Sequence, residues 1–264
     1  MVRQVVDDFV VTKHPGSMRT RDLAARLKAA STDPIRALFA PPLTAVPITA
    51  PDGRLLSLEP VTDSAAEISP IPWREAGSLV ARLQAMPLPA RNPLPEHGGR
   101  AAVQASLARA DALHPGGSTD ILRELGRTLL RTWPTASRPV LVHGAVHLGT
   151  IGRLPGTPTW LFTQPETLGF GPATWDLGRP AGMWAAGLLD QDSWQSFVAG
   201  YAEAGGSMPA EGETWDELDH PARCAVYLAS VREYLRCGTY PKIELTPLAE
   251  TLLAACVRIN GRRW

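Results

Sequence analysis

The sequence predicts an α+β chain in two parts, a small strand-rich N-terminal part and a larger, mostly helical C-terminal part. Three observations predict it. Strand patterns bounded by turn residues crowd into the first sixty residues. A proline-rich stretch, 60–72, then interrupts the chain. After Trp73, apolar residues recur mostly at helical spacing. The boundary falls near residue 62, giving a β-rich segment 1–62 and a helical segment 63–264.

The elements follow in order. Phe9 to Lys13 alternates as a β-strand, and the Asp7-Asp8 pair before it is turn-prone, so residues 1–13 read as a hairpin. His14-Pro15-Gly16-Ser17 breaks the strand. Residues 17–30 read as a helix with Leu23 and Leu27 on one face and Ser17 or Thr20 as N-cap. Residues 48–58 form the clearest hairpin, with Asp52-Gly53 at its turn. An amphipathic helix over 73–86 carries Leu79, Val80 and Leu83, and a loop rich in Pro and Gly covers 87–98. Helices are expected over 100–113 and 119–132. Short strands are expected at 140–142 and 160–162, with a Gly-Pro turn region at 152–158 between them. Four more helices, near 175–188, 191–204, 214–237 and 246–259, complete the chain.

Composition excludes several function classes. The 264 residues suffice for a buried core, and 44% hydrophobic with 20% charged residues is ordinary for a water-soluble domain. The formal net charge of zero argues against a dedicated nucleic-acid binder. No signal peptide and no long apolar run is apparent, so the expectation is a cytoplasmic protein with no membrane partner. Arg258, Arg262 and Arg263 read as a solvated basic helix end. Cys224, Cys237 and Cys256 have no metal-ligand spacing and read as buried apolar residues. The eight tryptophans are dispersed and read mostly as packing residues. Lysine is scarce beside arginine, the bias of a GC-rich genome. There is no G-x-S-x-G elbow, no H-E-x-x-H, no P-loop and no dinucleotide fingerprint.

One stretch stands out. Residues 141–150 read Leu-Val-His-Gly-Ala-Val-His-Leu-Gly-Thr, which resembles the H-G-D-x-H-x-G-N catalytic loop of the aminoglycoside phosphotransferase family. Three other segments are similar to that family and stand in the same order. Residues 75–87 resemble a helix ending in L-x-x-L-H, with Gln84 at the histidine. Residues 169–177, Gly-Phe-Gly-Pro-Ala-Thr-Trp-Asp-Leu, resemble G-x-G-D-P-A-W-D-L. Residues 197–206 resemble F-x-x-x-Y-x-x-x-G-G. The resemblance spans about residues 5–240. It implies a two-lobed protein-kinase-like fold, with a shortened N-lobe at 1–62 and a mostly helical C-lobe at 63–264, of bacterial origin.

The departures from the family cluster at the chemistry. Ala145 stands where the family has its catalytic Asp, Thr150 where an Asn holds magnesium, and Thr163 where a second metal-binding Asp ends a strand. A methyl group accepts no proton. Phosphoryl transfer depends on metal ions that neutralise the phosphates and on a group that orients the nucleophile. Two substitutes are in reach. His147, matching the family's second His, is either a replacement base or a hydrogen-bonded loop residue. Glu166 is either a surface hairpin glutamate or a carboxylate that restores a metal site. Lys13 is either a phosphate-contacting strand lysine, with Asp22 as its acidic partner, or a solvated strand end. The resemblance gives His143 and Gly144 a role in shaping the loop, and Asp176 a supporting role.

The reading that follows is a pseudokinase that binds a peptide, a small molecule or a partner protein in the cleft between its lobes, with no cofactor. The alternative is an atypical phosphotransferase needing ATP and magnesium. It would act on hydroxyls of a peptide or small natural product, as in ribosomal peptide maturation with a partner lyase.

Overall fold

The computed structural model describes residues 2–88, 94–134, 138–208, 214–238 and 242–261. Arg262, Arg263 and Trp264 fall outside this set, as does the Trp215 side chain. The chain forms two compact units that interleave in sequence. The first is Met1–His97, Arg138–Ala173 and Gln195–Ser207; the second is Gly98–Ser137, Thr174–Trp194 and Met208–Trp264.

The first unit opens with the expected hairpin, β1 (Val2–Val6) and β2 (Phe9–Lys13), turning at Asp7, whose φ is 51°. The second hairpin, β3 (Ile48–Thr49) and β4 (Leu55–Pro60), joins it to give an antiparallel sheet in the order β1-β2-β4-β3. Val10 stands opposite Glu59, and Thr12 opposite Ser57. Strand alternation therefore gathers Thr12, Ser57 and Glu59 on one face, and all three are buried. Helix α1 (Thr20–Ala30) starts three residues later than the sequence suggests, with Arg19 at its N-cap. Its buried stripe is Leu23, Arg26, Leu27 and Ala30, so a guanidinium sits inside an otherwise apolar face.

Three short antiparallel pieces escape a period-based reading. β5 (Asp63–Ser64) lies in the stretch read as linker, and β7 (Ile151–Arg153) runs into the stretch read as a turn. With β8 (Trp160–Phe162) they form a sheet in the order β5-β7-β8. Gly152 admits the neighbouring chain, since a Cβ there would lie 2.6 Å from Thr62 Oγ1. β6 (Val140–Val142) pairs with β9 (Gly169–Gly171), the third piece, which has too few side chains to show a pattern.

Helix α2 (Trp73–Gln84) crosses the Gln195–Glu203 part of α6 (Gln191–Glu203) backbone to backbone. Gly77 faces the Phe197 carbonyl and the Tyr201 amide, and Gly200 faces the Arg74 carbonyl. Gln84 locks the same contact: its amide donates to the Ala173 carbonyl at 2.8 Å and accepts from Tyr201 Oη at 2.7 Å.

The second unit is helical. It holds α3 (Gly99–Asp111), α4 (Gly117–Arg131), α5 (Thr174–Ala185), α7 (Thr214–Arg236) and α8 (Pro247–Gly261) around Leu122, Leu125, Tyr227, Leu252 and Cys256. The three cysteines are free and buried, as expected, and burial pushes the Cys256 thiol up to about 11, an unreactive state. Trp133 packs on Trp175 and edge-on to His220, while Trp184 stacks on Trp194.

The α2–α6 crossing leaves no room for a side chain. Gly77→Ala and Gly200→Ala are each expected to destabilise the fold by about 2 kcal/mol or more, measured by urea denaturation.

Candidate functional site

The loop after β6 is held by its own backbone. His143 is fully buried; its Nε2 lies 2.8 Å from the Thr163 carbonyl, and its Nδ1 accepts the Ala145 amide at 3.3 Å. These partners fix the neutral tautomer with the proton on Nε2. Burial pulls its pKa down to about 4, so the ring is a strut that stays uncharged. It stacks against Phe39 and Phe162, which carry the ring from both neighbouring segments. Gly144 has φ 88°, and a Cβ there would strike the Thr167 carbonyl, so both conformation and space demand glycine.

Thr150 is buried and its hydroxyl is occupied. Oγ1 lies 2.7 Å from the His147 carbonyl and 3.3 Å from that of Ala145, and it accepts the His147 amide at 3.0 Å. A hydroxyl committed in this way holds the loop together and has little left for a metal. Thr163 is also buried. Its amide donates to the Thr150 carbonyl and its own carbonyl meets His143. Ala145 presents only its methyl. The His147 amide takes part in the Thr150 staple, and its ring packs over Gly149.

The residues that follow depart furthest from expectation. Gln164 is non-glycine yet left-handed, at φ 59° and ψ 56°, and is buried. Its amide donates to Glu59 Oε2 at 2.7 Å, and its side chain donates to the Gly149 carbonyl at 3.1 Å. Glu166 is not a surface glutamate. It is 3% exposed in the single 3₁₀ turn Pro165–Thr167, packed under the sheet against α1. It meets Glu59, itself 1% exposed. Taken as two carboxylates, Glu59 Oε1 and both Glu166 oxygens have no donor. One proton shared between the two groups bridges one facing pair of these oxygens. Burial first, then the Glu59 charge, pushes Glu166 up to about 8, and burial raises Glu59 as well. Arg3 stands 3.8 Å from Glu59, and Arg26, which donates to the Leu168 carbonyl at 2.8 Å, adds a second positive charge near Glu166.

The other expected residues are not brought to this cluster. Lys13 alternates away from the face that carries Thr12 and pairs at 2.6 Å with Asp52 of the β3–β4 turn, where Asp22 was the anticipated partner. Asp22 lies beside Arg21 instead, on the helix whose Arg26 feels its charge. Asp176 is buried in the first turn of α5, where a negative charge suits the helix start. Among the described residues, no three His, Cys, Asp or Glu side chains gather in a metal-binding group.

No protein-family model matches the chain, and no curated protein does. Solved structures do. A choline/ethanolamine kinase family protein from Mesorhizobium loti is 15% identical, with a TM-score of 0.60 over 98% of this chain and 85% of that one. An aminoglycoside phosphotransferase from Alicyclobacillus acidocaldarius is 10% identical, with 0.57 over 98% and 89%. A spectinomycin phosphotransferase in its AMP-bound complex is 13% identical, with 0.55 over 95% and 88%. The fold is that of the kinase-like phosphotransferases. At these identities the likeness establishes architecture, and the chemistry rests on the residues themselves.

In this kinase-like fold two sets of buried groups titrate in opposite senses. His14, His97 and His143 are each lowered from 6.5 to about 4 by burial. The unfolded chain binds more protons there, so their contribution is lost as pH falls from about 6.5 toward 4. Glu166 is raised from 4.5 to about 8, so its contribution is lost as pH rises through that range. Below 6.5 the three histidines dominate; above it the glutamate pair acts alone. Thermal denaturation across pH 4.5–8.5 is expected to show a stability maximum near pH 6.5, with a decline on both sides.

Proposed function

We propose that this chain is a pseudokinase: it uses the kinase-like fold to bind a peptide or partner protein and does not transfer phosphate. The observation that carries the reading is the Thr150 hydroxyl, which is committed to the backbone of residues 145–147 at the place where the resembled family holds magnesium. Ala145 supports it, since a methyl can neither orient nor deprotonate a nucleophile. Glu166, the carboxylate available as a substitute, is buried against Glu59, where burial and the Glu59 charge favour its protonated form, and two arginines nearby oppose a further cation. Lys13 is taken by Asp52. A protein of this kind works in the cytoplasm without cofactor, and its partner supplies the biological context. The competing reading, an atypical ATP- and magnesium-dependent phosphotransferase acting on a hydroxyl, would have to rely on His147, whose backbone already serves the loop.

The test is calorimetric titration with ATP, with and without magnesium. No magnesium-dependent heat is expected up to millimolar nucleotide. Magnesium-dependent binding accompanied by loss of the γ-phosphate would overturn the proposal.

A further inference from the structure

Beneath the first sheet lies a layer of polar groups where packing would ordinarily be apolar. From β2 comes Thr12 and from the position just past its end His14, both fully buried; from β4 come Ser57 and Glu59; from α1 comes Arg26; from the turn after β8 comes Glu166. His14 Nε2 pairs with Ser57 Oγ at 2.9 Å. Such a layer is stable only when its members satisfy one another. The two carboxyls face one another across a single proton, and Glu59 grips the amide of a left-handed, non-glycine residue. That backbone conformation is itself unfavourable by roughly 1–2 kcal/mol, so it persists because something holds it. The Glu59–Gln164 bond is the most direct candidate, at 2.7 Å and fully buried.

We propose that Glu59 and Glu166 form a proton-gated latch on the Gln164–Leu168 turn: with one proton shared between them the turn is held, and when that proton leaves the turn is released. Two ionised carboxylates enclosed at this depth repel, and water is the only solvent that relieves them. Relief requires the turn to swing out, which breaks the Gln164 amide bond to Glu59 and the Arg26 bond to Leu168. The same turn carries Thr167, whose hydroxyl lies 3.4 Å from His143 Nδ1 and whose carbonyl crowds Gly144, so release reaches the 143–150 loop. The latch thus couples proton occupancy under the sheet to the shape of the loop. It operates whether or not the protein transfers phosphate.

The charges around the latch set its range. Arg3 on β1 and Arg26 on α1 face it with positive charge, and Asp22 on α1 offsets Arg26. His14 just past β2 and His143 in the loop are held at about 4 by burial and stay neutral above pH 6.5. Between pH 6.5 and 8, the glutamate pair is therefore the group in this layer that changes charge. Opening the turn in that window releases one proton, so linkage makes the opening equilibrium rise roughly tenfold per pH unit and level off above about 8.

Amide hydrogen exchange of the wild-type chain, corrected for the intrinsic pH dependence of exchange, reads this directly. Protection at Gln164, Thr167 and Leu168 is expected to fall roughly tenfold per pH unit from 6.5 to 8, with the Val140–Val142 amides far less affected. Glu166→Gln cannot ionise and keeps a donor for Glu59, so its protection should be flat across the window. If that variant fails to fold, Glu166→Leu removes the same ionisable group and is expected to give the same flat profile. A wild-type profile that is flat from 6.5 to 8, or a slope that survives in either folded variant, overturns the latch.

Discussion

A carboxylate buried at the end of a β-strand organises the first unit. Glu59 has no access to water, and an isolated ionised carboxyl there would be prohibitive. It is stabilised by three partners from three separate segments: the Gln164 amide, Arg3 and the Glu166 carboxyl. Each partner is then fixed in turn. Gln164 is committed to a left-handed turn and its side chain to the Gly149 carbonyl. Glu166 is drawn under the sheet. The two loops that would hold chemistry in a kinase-like fold are thereby tied to the N-terminal sheet through one buried charge.

That arrangement bears on what the loop can do. In an active phosphotransferase the polar groups of the site must remain available to metal and phosphate. Here they are turned inward. Thr150 staples its own loop, Thr163 and His143 hold one another through a backbone carbonyl, and Glu166 meets another carboxyl. Each replacement is a group that can complete a local hydrogen-bond pattern where the resembled family needs an open ligand. The fold retains its frame because these contacts satisfy the buried backbone.

The frame was legible in the sequence because it depends on periodic signals. The two N-terminal hairpins, the helices and the strands at 140–142 and 160–162 all follow from turn residues and apolar spacing. The loop histidine and glycine were legible through their resemblance. The polar layer was not. Leu55-Leu56-Ser57-Leu58-Glu59 reads as a strand with leucines on both faces, and nothing local says that Ser57 and Glu59 point inward. Arg26 lies on the buried stripe of α1, where its charge argued for solvent. Glu166, preceded by proline in a short turn, looked like a surface residue for the same reason. Their burial depends on one another across long gaps, 105 positions from Glu59 to Gln164 and 142 from Arg26 to Leu168, which a single sequence does not reveal. The Lys13 partner was missed because Asp52 is distant in sequence and close only once β2 and β4 pair.

The most direct measurement is a carbon-13 NMR titration of the glutamate carboxyls in the wild-type protein, assigned through Glu59→Gln and Glu166→Gln. The account predicts a carboxyl that remains protonated at neutral pH and titrates near 8, absent in the Glu166→Gln spectrum. Complete ionisation of every glutamate below pH 6 would contradict it.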